Sequence, residues 1–206
     1  MNKTTWIGVI GLGLLPLLTA CGEEDLTSVR LKVNADHSGL ITTSAVAVPE
    51  RVAFEKGMKG ATWTDRVGVV AATGSFDSIS RLAIGDISFD VEVSDHGMVS
   101  MEVVVPLGAA VQWVQLIAPM SPEQRAESAR AFDPDGRLKT LGSTFKLVIE
   151  LPNDVVATGL TPHLLGVTTS SDGHEAVLLV AVDTALAAHG SLRWHVTWMQ
   201  QGGSGQ

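Results

Sequence analysis

Thiols are almost missing from this chain: of 206 residues one is cysteine, so no disulfide can form within it and packing alone must hold it together. Positive charge is scarce as well. Fourteen lysines and arginines face 22 acidic residues, for a formal net charge of −8, and no basic run occurs. That balance excludes the electrostatic footprint of a nucleic-acid binder and argues against docking on anionic head groups by charge. Tyrosine is absent, which weakens a sugar-binding reading. No apolar run reaches the eighteen residues expected of a membrane-spanning helix.

Motifs of catalysis and metal binding are lacking too. The six histidines (His37, His96, His163, His174, His189 and His195) show neither His-x-x-x-His nor His-Glu-x-x-His spacing. Asp133-Pro134-Asp135-Gly136 opens like a calcium loop, but Thr144 stands where the bidentate glutamate is required, so it reads as a turn that ends a helix. There is no Gly-x-Ser-x-Gly elbow or Ser-x-x-Lys pair, and Ser75 and Asp77 read as capping residues. The expectation is therefore no catalytic residue, no metal and no cofactor: a non-enzyme. An envelope hydrolase would need carboxylates or histidines gathered from distant parts of the chain.

What is present begins at the N-terminus. Lys3 supplies a positive start, and Trp6–Leu18 is a thirteen-residue apolar run broken by Gly8, Gly11, Gly13 and Pro16. Its length suits the core of a secretory leader, with the small residues Thr19 and Ala20 before a cleavage point. Leu18-Thr19-Ala20-Cys21 resembles the lipobox of bacterial lipoproteins. The resemblance covers the leader and Cys21 alone. It implies that residues 1–20 are a signal peptide removed before Cys21, whose thiol carries diacylglycerol and whose new amino group takes a fatty acyl chain such as palmitate. Several chains make a stable anchor where one binds marginally. Gly22 in place of aspartate resembles the set sent to the outer membrane, so the implied location is the bacterial cell envelope, on the periplasmic face of the outer membrane in a Gram-negative cell.

After Cys21, residues 21–27 read as a lipidated start and short tether, 28–200 as one α+β domain, and 201–206 as a flexible tail. Six residues ahead of the first strand reach some 20 Å when extended. Period-two alternation predicts hairpins over Val29–Val33 with Leu40–Val48, Ile87–Val93 with Met98–Val105, and the segments flanking Ser171-Asp172-Gly173. Further strands are expected over Arg66–Phe76, Thr144–Leu151 and Ser191–Met199. Helical signals lie after Asp77, over Gly108–Ile117, and at Ser121-Pro122-Glu123-Gln124, a capping box with proline at the first helical position. Together these predict a mainly antiparallel sheet built from hairpins, with two or three helices on one face.

Trp194 and Trp198 share a strand face with Leu192 and Val196. Such a face either serves as an aromatic platform for an apolar ligand or packs as core. The expected role is that of a membrane-anchored envelope lipoprotein, structural or interactive, whose partners are the membrane through Cys21 and an envelope protein, with no nucleic acid. A carrier or sensor of an apolar ligand such as a lipid is the alternative. It rests on a 45% hydrophobic composition and a positive mean hydropathy.

Overall fold

The computed structural model describes residues 25–46, 59–66, 69–117 and 144–200. They form twelve strands: β1 Asp25–Val33, β2 Gly39–Val46, β3 Lys59–Arg66, β4 Val69–Phe76, β5 Ala83–Ile84, β6 Ile87–Val93, β7 Met98–Leu107, β8 Thr144–Glu150, β9 Val155–Thr161, β10 Val167–Asp172, β11 Glu175–Ala181 and β12 Gly190–Met199. Two α-helices of six residues, α1 Gln112–Ile117 and α2 Val182–Ala187, and a 3-10 turn at Ile79–Arg81 complete them.

Alternation decides which way each strand faces. On β1, Val29, Leu31 and Val33 are buried while Arg30 and Lys32 point outward; on β12, Leu192, Trp194, Val196 and Trp198 are buried against outward Arg193, His195 and Thr197. Strands of this kind form two sheets. The first runs β10-β11-β8-β1-β2-β4-β3, antiparallel throughout except for the parallel pair β1–β8. The second runs β5-β6-β7-β12-β9 and is wholly antiparallel. The inward side chains of both merge into one cluster that joins Val29, Leu31, Leu147 and Leu178 to Phe89, Met101, Trp194 and Trp198. This is a β-sandwich.

The expected α+β architecture is thereby corrected. A six-residue helix is only about 9 Å long, whereas a five- or seven-stranded sheet is some 20–30 Å wide. Neither helix can cover such a face, and the second sheet covers it instead. The helix expected within Gly108–Ile117 forms as α1; Asp86 accepts the N–H groups of Gln112 at 3.0 Å and Trp113 at 3.2 Å and so holds its first turn. The helix expected after Asp77 is the single 3-10 turn, and α2 was unforeseen. The capping box at Ser121 and the turn Asp133–Gly136 lie outside the described residues, as do 50–57 and the 201–206 tail.

The three expected hairpins form, as β1–β2, β6–β7 and β10–β11. Their registers define two ends of the sandwich. Asp25 pairs with Thr144, Thr144 with Ala181, and the Ala181 N–H donates to Gly166 O at 2.7 Å, so the start of β1 and the β9–β10 loop share one end. At the opposite end lie the β1–β2 turn and the β10–β11 turn, which is tied to β9 where the Val155 N–H donates to Gly173 O at 2.8 Å. Val155 pairs with Trp198, and Met199 with Met98, so that end of the second sheet lies there too. β1 begins at Asp25, three residues earlier than the sequence pattern placed it.

Candidate functional site

Cys21 lies outside the described residues. Between it and β1 stand Gly22, Glu23 and Glu24, so whatever their conformation the Cys21–Asp25 separation is at most about 14 Å. The strand they lead into is held on both sides, by β2 and by β8. The start of β1 is thus a fixed point on the sandwich surface.

The tryptophan pair sits elsewhere. Trp194 and Trp198 are 0% and 1% exposed, packed in the core with Val196 and Leu192. The Trp194 indole Nε1–H donates to Thr158 Oγ1 at 2.8 Å, and Thr158 Oγ1 lies 3.1 Å from Thr169 Oγ1, which links β9 to β10 where the two sheets meet. Trp113, also buried, donates from Nε1 to Pro106 O at 2.6 Å and stacks obliquely on Phe145, with ring centroids 4.7 Å apart. These rings fill the interior, and the indole N–H groups of Trp194 and Trp113 are satisfied inside it.

Two charged rows mark the outer faces. On the second sheet, Glu102 is contacted by Arg193 and, at 3.3 Å, by His195 Nε2, with Asp90 directly opposite Glu102 on β6. His195 and Arg193 are substantially exposed. A carboxylate and an imidazole on an open face can hold a proton or a hydrogen bond, but water screens them. On the first sheet, Arg30 reaches across β8 to Glu175 on β11 at 2.5 Å, while Lys32 meets Glu150 at 2.8 Å. Val148, which pairs with Arg30 on the same outer face, is 2% exposed. Among the described residues no group of three or more His, Cys, Asp or Glu side chains is placed to hold a metal ion, and no helix is long and apolar enough to cross a membrane.

The features most suggestive of contact with another molecule are apolar. Met98 and Met199 face each other across β7 and β12 with 42% and 45% of their surface exposed. Val93 closes β6 beside them, and Val156 stands at the irregularity where β9 skips a partner on β12; both are also about half-exposed. All four are at the end of the sandwich opposite Asp25. Met98 and Met199 adjoin on the outer face, while Val93 lies on the inward side of β6. This end thus carries a paired methionine contact with further exposed apolar side chains near it, and adjoining exposed apolar side chains mark interaction sites more often than single ones do. Alternation already places Met98 and Met199 on the outward faces of β7 and β12, but it could not reveal Val93, which continues the inward pattern of β6 and is exposed only through its place at the sheet's end. No family model, curated protein or solved structure matches the chain.

Proposed function

We propose that this protein is a bacterial envelope lipoprotein, anchored through acyl chains on Cys21, whose β-sandwich is a non-enzymatic interaction module. The observation that carries the reading is the placement of Leu18-Thr19-Ala20-Cys21 only three residues ahead of β1, a strand clamped between two others. A lipid at Cys21 would hold the sandwich against the bilayer by its Asp25 end. The end bearing Val93, Met98, Val156 and Met199 would then point away from the membrane, where an envelope protein can meet it.

The test is acylation of Cys21 in cells, read by the mass of the N-terminal peptide, together with detergent-phase partitioning. The expected result is a processed N-terminus at an acylated Cys21 in the membrane fraction, and a Cys21→Ser protein that is unprocessed or lacks acyl chains. A wild-type chain recovered without acyl groups overturns the reading. Photo-crosslinking from position 98 or 199 is expected to capture a protein partner in the envelope; captured lipid, or nothing above the level seen from Thr197, removes the interaction role.

A further inference from the structure

We propose that the β9–β10 loop is a second, non-covalent membrane contact in which Leu165 enters the bilayer beside the lipid on Cys21; the inference rests on the anchored reading above. Leu165 is 96% exposed, far more than the other large apolar side chains on the described surface. Its exposure is built into the loop. The Thr184 hydroxyl donates to Leu165 O at 2.9 Å, the Ala181 N–H to Gly166 O at 2.7 Å, and the Val167 N–H to Leu164 O at 3.2 Å. Leu164 turns inward against the core while Leu165 points out. Gly166 has φ +78°, and a Cβ there would lie 2.6 Å from Thr184 Oγ1, so only glycine lets the loop close this tightly on α2. A leucine held outward by a fixed backbone loses little further freedom on insertion.

Position and charge point to lipid as the occupant. The row Gly166–Ala181–Thr144–Asp25 puts Leu165 three strand spacings, about 14 Å, from the axis of β1. Cys21 is itself no more than about 14 Å beyond Asp25. A bilayer that takes the acyl chains must therefore pass close to the loop. Thr161 to Val167 carries no carboxylate, and His163 is its one titratable group. The described turns of the opposite end each carry acid: Asp36, Asp95 and Asp172. Carboxylates do stand elsewhere at the anchor end, Asp183 on α2 and Asp86 in the β5–β6 turn, but none lies within the loop itself. In a protein of net charge −8, a loop without carboxylates meets an anionic bilayer with no like-charge repulsion of its own.

The experiment exploits the single cysteine. Once Cys21 is acylated it offers no thiol, so Leu165→Cys or Met98→Cys gives one labelling site in the full chain. Each variant, produced with its native leader, is labelled with an environment-sensitive fluorophore and reconstituted in phosphatidylethanolamine–phosphatidylglycerol vesicles containing acyl-chain nitroxide quenchers. The label at 165 is expected to shift to the blue and lose most of its emission to the quencher, while the label at 98 stays aqueous. If Cys21 is acylated and the label at 165 emits as in water, the inference falls and the anchored reading stands. If the label is dry in native membranes but wet in pure lipid, a protein occupies the loop and the inference falls likewise. A Cys21 that takes the label itself is not acylated, and both fall together.

Discussion

At the scale of single residues, Gly39 shows how little freedom the sandwich leaves. It begins β2 opposite Val33 and Phe76, and a Cβ added there would lie 1.9 Å from Lys32 O and 2.5 Å from Phe76 Cζ. The carbonyl belongs to a ladder and cannot move away. Gly39→Ala is therefore expected to destabilise the fold by about 3 kcal/mol, seen as a lower denaturation midpoint at unchanged slope. Thr158 makes a different point, because its hydroxyl accepts from a buried indole. Thr158→Val keeps the shape but leaves the Trp194 N–H unpaired, at a cost of about 1–2 kcal/mol, whereas Thr158→Ser keeps most of the stability. In the β1–β2 turn, the Ser38 hydroxyl donates to Asp36 Oδ1 at 2.6 Å and the Ser38 N–H at 3.1 Å; these bonds, the side-chain one foremost, hold the Asp36 pKa below its usual 3.8. A lowered folded-state value means that this turn's contribution is present above the ordinary carboxylate pKa and is lost as pH falls through the folded value. Carboxyl NMR should give an Asp36 midpoint below 3.8, moving up in Ser38→Ala.

At the scale of elements, local pairings were legible and distant ones were not. Alternation together with a turn specifies a hairpin, and β1–β2, β6–β7 and β10–β11 follow from it. The parallel β1–β8 pair joins segments more than a hundred residues apart, and nothing in a strand's own period names so remote a partner. β9, Val155–Thr161, escaped notice because Gly159 and the half-exposed residues of an edge strand blur its alternation. The architecture is hidden for a related reason: a one-sided strand announces that its face must be covered, but not whether a helix or another sheet covers it. The Trp194 and Trp198 face was legible as apolar, and only the packing shows it closed. Met98 and Met199 fall by alternation on outward faces, but their meeting is set by register, and Leu165 depends on loop closure, which carries no period. Across β1, β8 and β11, Arg30 acts as a strap over Val148 on its way to Glu175. The ion pair is half-exposed, so its coupling in a double-mutant cycle should be only about 0.2–1 kcal/mol. The stem's apolar cover is expected to matter more: Arg30→Met should be better tolerated than Arg30→Ala in thermal unfolding.

At the scale of the molecule, a lipid on Cys21 would give the sandwich a polarity. β1 starts at Asp25 and reaches the β1–β2 turn eight residue steps later, about 26 Å away. Under the anchored reading one end meets lipid and the other meets solvent or protein, and the three residues after Cys21 keep these roles apart. Lengthening that link tests the argument without touching either surface. Ten Gly/Ser residues inserted between Glu24 and Asp25 add a flexible span with a mean reach of about 16–19 Å. Cys21 acylation and membrane partitioning should be unchanged, since both depend on the leader and the lipid. The quenching of a fluorophore at position 165 should fall, because the loop is no longer held at high effective concentration near the bilayer and a single leucine must insert unaided. If quenching survives the insertion undiminished, the loop binds the membrane on its own strength and the short link is not what presents it.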